Sequence, residues 1–258
     1  TIAVPMDGAK VRLRAESFAD HYSQARLFFR SQTEIEQAHL ASALVFELSK
    51  VTLDHVRTRV LSNLRNVDEG LAKRVADGLG VSLPKASDPA IDPIDLEASP
   101  ALRIVGKYPD TLKGRKVAVL VADGSDGAAV DSVRKAVEGD GGAIFIVAPK
   151  IGGAKLADGT VLAADGQLAG SPAGLFDAVA IILSAEGCSQ LLKEGAAVDF
   201  AKDAFGHLKA IGYSPDAKPL LDKAGVEPDE GVVDIVASVK AFLPSARTRR
   251  WEREGKVR

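Results

Sequence analysis

The 258 residues carry 33 Lys and Arg against 35 Asp and Glu, a formal net charge of −2, with 46% hydrophobic and 26% charged residues. That balance belongs to a folded globular chain and provides no global attraction to nucleic acid or an anionic membrane. The single Cys188 excludes an internal disulfide framework and a Cys-rich zinc module, and no apolar run approaches the roughly 18 residues of a membrane span.

Three zones follow in chain order. The first, about residues 18 to 82, reads as helical. Thr33-Glu34-Ile35-Glu36 has the form of a capping box, and Leu40, Ala43, Leu44 and Leu48 behind it share one helical face. A second helix is expected over Leu53 to Leu64. A third runs from Asp68, a plausible N-cap, until Gly78 and Gly80 stop it. Three short helices enclose little core, so this zone is expected to pack on something else.

The second zone holds Pro84, Pro89, Pro93, Pro100 and Pro109 and has little periodicity. Proline fixes its own φ and pushes its predecessor out of the α region, which makes this an extended connector or a stretch that wraps along a partner surface.

The third zone alternates strand and helix. Strands are expected at 116–121, 143–147, 178–183 and 208–212, with a short hairpin punctuated by Asp158-Gly159 and Asp165-Gly166. Helices are expected over Ala128 to Glu138, once or twice between Gly187 and Phe205, after Pro215, and as a closing helix from Val232 to Leu243. Such alternation implies an α/β fold: a doubly wound parallel sheet of the flavodoxin-like kind, preceded by a small all-helical segment. The expected division is 1–83 helical, 84–112 linker, 113–244 α/β domain and 245–258 tail. That tail has six basic and two acidic residues around Trp251 and reads as a solvated end.

The chemistry on offer is sparse. Asp123-Gly-Ser-Asp-Gly127 occupies the turn where doubly wound folds bind ligands, yet it has neither a dinucleotide nor a P-loop pattern, and its aspartates repel phosphate. Cys188 follows a strand at an apparent helix start, a place that favours thiolate; His207 is the base that folding would have to bring to it. His21, His39, His55 and His207 have no metal-ligand spacing.

The stretch Phe18-Ala-Asp-His-Tyr-Ser-Gln-Ala-Arg-Leu-Phe-Phe-Arg-Ser-Gln32, continued by Glu36-Gln37, Val45-Phe-Glu-Leu-Ser-Lys50, Val67-Asp68-Glu69 and Arg74-Val-Ala-Asp-Gly-Leu79, resembles the helical segment that follows the haem barrel in large-subunit haem catalases. The connector and the third zone keep the order of that class. The resemblance implies a homotetrameric parent that disproportionates hydrogen peroxide at a haem, in the cytoplasm, under oxidative stress. It also implies that the distal histidine and proximal tyrosinate lie upstream: His21 and Tyr22 sit inside the helical motif, and this chain is expected to hold no haem, no other cofactor and no metal. With Thr1 first and seventeen residues before Phe18, a C-terminal piece of such a catalase is expected.

The third zone in turn resembles the class I glutamine amidotransferase-like superfamily, whose active members place a cysteine after a central strand. Here Gly212 or Tyr213 stands at that position, and the acidic partner falls near Ala129, with Asp126 close by. The resemblance therefore implies a degenerate site and no catalytic residue. The expected role is support of stability and tetramer assembly. The rival readings are a holding chaperone for unfolded clients and a thiol hydrolase using Cys188. Neither nucleic acid nor a membrane is an expected partner.

Overall fold

The computed structural model describes residues 3, 5 and 7–257. The chain forms two compact units, Thr1–Tyr108 and Pro109–Arg258. Among the described residues the first holds four α-helices: α1 (Ser23–Ser31), α2 (Glu34–Ser49), α3 (Asp54–Val67) and α4 (Glu69–Leu79). Sequence periodicity marks three of these. The fourth, α1, is short and buries Phe29 with the small Ser23 and Ser31, too few apolar positions to announce a stripe.

At the start of α2 the capping box forms in full: Thr33 Oγ1 accepts from Glu36 N, and the Glu36 carboxylate accepts from Thr33 N. Asp68 caps α4, and Gly80 ends it with φ at +68°. Gly78 has a different purpose from stopping a helix. A Cβ there would lie 2.6 Å from Val45 Cγ2, so this glycine lets α4 approach α2.

Contrary to expectation, these helices enclose their own core. Phe29, Ala41, Leu48, Leu61, Leu71, Val75 and Ala76 are buried together. The proline-rich stretch to Tyr108 wraps over the same helices: Ile94 N donates to Ser23 Oγ, Ser99 N to Ser31 Oγ, and Ile104 N and Val105 N both to Glu36 Oε1. It is a belt on its own unit.

In the second unit, strands β1 (Lys116–Val121), β2 (Ala143–Ala148), β3 (Ala154–Lys155), β4 (Val161–Leu162), β5 (Gly166–Gln167), β6 (Ala178–Ile182), β7 (Ile211–Tyr213) and β8 (Val232–Asp234) appear in order. The six-stranded sheet runs β5-β2-β1-β6-β7-β8 and is parallel throughout. Without the two-residue edge strand β5 this is the flavodoxin-like order. Helices α5 (Gly127–Gly139), α6 (Ala185–Leu191), α7 (Gly195–Gly206), α8 (Lys218–Lys223), α9 (Ile235–Ala246) and α10 (Glu254–Val257) complete it.

Alternation along the strands builds two cores. Ala118, Leu120, Val179 and Ile181 join Leu191, Phe200 and Leu220 of α6–α8 on one face. On the other, Val117, Val119, Val121 and Ile182 meet Val130, Val133, Ile235 and Phe242 of α5 and α9. Each fully buried Leu, Ile or Phe contributes about 1.5–3 kcal/mol over an exposed one.

Three further expectations are corrected. Val232–Asp234 is a strand paired with β7, and the closing helix starts at Ile235 with Asp234 as its cap. Asp165-Gly166 leads into the parallel edge strand; only β3 and β4 make the hairpin. The strand expected at 208–212 begins at Ile211, because Leu208, at φ +60°, ends α7 instead.

The tail is docked as well. Arg253 is buried and bonded bidentately to Asp229, with its guanidinium 4.2 Å from the Phe205 ring centroid.

Candidate functional site

In an open parallel sheet the place for a ligand is the crevice at the carboxyl ends of the strands where the order reverses. Here that point lies between β1 and β6, above the loops at 122–126 and 183–184. Three serines bond backbone at these strand ends. The fully buried Ser125 Oγ accepts from Ala122 N at 3.0 Å and donates to Ile182 O at 2.6 Å, tying the end of β1 to the end of β6. Ser184 Oγ donates to Asp123 O and accepts from Gly187 N, so one hydroxyl both caps α6 and spans the crevice. Ser214 Oγ accepts from Leu183 N and donates to Leu183 O, both at 2.9 Å, continuing the β6–β7 ladder one residue past the strands.

The aspartates of the turn are also engaged. Asp126 caps α5 through Ala128 N, and Asp123 accepts from Lys155 N. Together with Gly124 N donating to Lys155 O, this brings the β3–β4 hairpin down over the loop. A Cβ on Gly124 would come within 2.7 Å of Ser184 Oγ, and one on Gly187 within 3.0 Å of Ala122 Cβ.

Gly212 lies in β7, with its Cα side against α9. A Cβ at this position would be 2.5 Å from Ile235 Cγ2 and 3.3 Å from Phe242 Cδ2. No side chain, thiol included, fits there without moving Ile235. Tyr213 is half-buried at the strand end, and Asp126, the nearby carboxylate, is consumed as a cap.

Cys188 sits in the first turns of α6 and lines a cleft of about 290 Å³ with Ala185, Ser189, Leu192, Pro215, Asp216 and Pro219. Burial pushes its thiol pKa up, and the charge on Asp216 adds to the rise. Both effects oppose thiolate formation. His207 is not brought to it: it caps the far end of α7, beside Gly174, at the opposite edge of the sheet. A second cleft, of about 490 Å³, opens between the N-terminal turns of α5 and α9 and is lined by Asp126, Ser132, Ser238 and Lys240 among others.

A haem would need a histidine, tyrosinate, cysteinate or methionine facing an open pocket. The Tyr22 hydroxyl donates to Asn63 Oδ1 at 3.1 Å and lies 3.3 Å from Ser87 Oγ, held within the belt of the first unit. His21 stands against Tyr22, ring edge to face. Among the described residues no three metal-ligating side chains converge, and no helix is long and apolar enough to cross a membrane. The Tyr22 hydroxyl is thus engaged within its own unit.

The sequence pattern pointed to Cys188 and the Asp123 turn, whereas the residues that decide the character of this region are Ser125, Ser184, Ser214 and Gly212. Ser184 carries a readable signal, a serine directly before a helix. The other three do not, because their roles depend on which strand lies alongside.

The fold and site thus define a doubly wound α/β domain whose serines at the strand ends are bonded to backbone, preceded by a four-helix unit. A family model described as the C-terminal domain found in long catalases matches residues 113–250, and one described as catalase-related immune-responsive matches residues 15–79. The chain belongs to the long-catalase family. It is 46% identical over 258 residues to catalase C of Rhizobium meliloti (strain 1021), covering 97% of this chain and 37% of that protein. It is 37% identical over 255 residues to catalase HPII of Pseudomonas putida (96% and 35%) and 31% identical over 260 residues to catalase-B of Dictyostelium discoideum (98% and 37%). The chain spans little more than a third of the length of these curated relatives.

Proposed function

We propose that this polypeptide serves as the non-haem C-terminal region of a long catalase, supporting the stability and oligomeric assembly of an enzyme that disproportionates hydrogen peroxide at a haem held by other residues. The observation that carries the reading is the bonding at the strand ends, where each of Ser125, Ser184 and Ser214 is spent on backbone and Gly212 is packed against Ile235. A site built this way rewards rigidity over turnover.

Exposed apolar side chains support the assembly role. Val11, Leu13, Phe18, Phe28 and Phe46 all face solvent in the first unit, with Leu13 at 84% exposure. Such side chains are available to a contact surface. Light scattering on the purified chain at tens of micromolar tests this part: a dimer or larger species is expected, and a stable monomer contradicts it. The same exposed residues are what a holding chaperone would use. Suppression of client aggregation at equimolar ratio, lost on removal of residues 1–108, would move the reading to that rival.

A further inference from the structure

The segment after α9 crosses the edge of the sheet opposite the crevice, where the loops lead into the strands. Its arginines meet those loops one after another. Arg247 makes a two-pronged contact with Asp140, before β2, through Nε at 2.8 Å and Nη2 at 2.7 Å, and it reaches Asp110, before β1, at 3.2 Å. Its carbonyl also accepts from Arg115. Arg249 Nη1 donates to Asp177 O, before β6, and Arg250 N donates to Leu208 O, before β7. Arg250 Nη2 pairs with Glu230, before β8.

Arg253 is the deepest of the set. Nε and Nη2 grip Asp229 at 2.7 and 2.9 Å, while Nη1 donates to Lys209 O at 2.8 Å and Phe205 O at 3.3 Å. All five full strands are therefore fastened at their starts by a segment of eight residues.

The receiving surface is shaped for it. At Gly231 a Cβ would lie 2.7 Å from Arg250 Cγ and 2.9 Å from Arg253 Nη2, so a side chain there would occupy the path of both arginines. Leu208 is held at φ +60°, a conformation that a non-glycine residue adopts at a cost, and its carbonyl is the one that Arg250 N binds. The fastening falls into two halves, Arg247 on the loops before β1 and β2, and Arg249, Arg250 and Arg253 on those before β6, β7 and β8. Arg247 is the C-cap of α9 and stays with that helix, whereas Arg253 lies past residue 250, where the family match ends.

We propose that Arg247–Glu254 is a strap in two halves whose far half, anchored by Arg253 on Asp229, releases as a local unit and uncovers Phe205, Lys209 and the loops leading into β6, β7 and β8. Arg247 then still guards β1 and β2. Local opening of this kind requires a segment held by a few specific contacts at the edge of a core that remains folded.

Hydrogen–deuterium exchange on the full chain tests this directly. In Arg253→Met, amides of 205–211 and 229–232 are expected to exchange at least about tenfold faster, with 116–121 and residues 23–79 unchanged. Arg247→Ala should instead accelerate 110–116 and 140–143. Gly231→Ala leaves every charge in place and should reproduce the Arg253→Met pattern more weakly. Acceleration confined to 251–257, or spread evenly over 109–258, overturns the strap. So does global unfolding of both Arg253→Met and Gly231→Ala, since the segment would then be inseparable from the fold.

Discussion

Glu36 shows how much one side chain can be asked to do. Its carboxylate is partly buried, which alone would raise its pKa, but N–H donors from Val105, Thr33 and Ile104 and the Thr33 hydroxyl overcome that and lower it from 4.5 to about 2. A carboxylate with a depressed folded-state pKa stabilises fully above its unfolded value. The first unit should therefore lose stability as pH falls from 4.5 through about 2, and Glu36→Gln should flatten that loss in acid titrations followed by circular dichroism. Lys209 behaves in the opposite sense. Burial, with Arg249 nearby, lowers its pKa from 10.5 to about 8, so the unfolded chain binds more protons between those values. Stability of the second unit should rise with pH across that window, and the rise should vanish in Lys209→Met. Gly212→Cys, which adds a side chain where a Cβ already meets Ile235 Cγ2, should cost about 1–3 kcal/mol in chemical denaturation by displacing Ile235. An unchanged midpoint would show that α9 yields freely.

At the scale of elements, what could be read from sequence was whatever local chemistry decides. The Thr33–Glu36 box, the Asp68 cap and the Gly80 stop are all as expected, because a cap is a contact between residues three or four apart. Elements decided by distant neighbours escaped. Val232-Val-Asp234 extends the apolar pattern of α9, and only pairing with β7 makes it a strand. The arginines of the tail carried no local sign of burial, since Asp229, Asp140 and Phe205 reach them through the fold. Cys188 shows the same limit within the site: its place at a helix start was legible, whereas the burial that raises its pKa was not. Helix α2 is apolar on more than one side, with Leu40, Leu44 and Leu48 turned to the core and Phe46 61% exposed. Phe46→Ser together with Phe28→Ser should shift sedimentation toward smaller species while leaving the thermal midpoint nearly unchanged. A lower midpoint with unaltered sedimentation would mean that these rings serve the fold alone.

Across the whole molecule, the two units have separate cores, and hydrogen bonds bind the proline-rich belt to the first. Residues 109–258 expressed alone should unfold cooperatively in urea, monitored by Trp251 fluorescence; a broad, non-cooperative transition would show that the division at Tyr108 is not energetic. We propose that neither unit turns over peroxide: the Tyr22 hydroxyl is engaged by Asn63, and burial holds the Cys188 thiol protonated. The most direct measurement is a titration of the purified chain with haem, followed by absorption near the Soret region and by an oxygen electrode after peroxide is added. We predict the spectrum of free haem at every ratio and oxygen release no faster than haem alone; a saturating shift at one haem per chain with rapid oxygen evolution would contradict it.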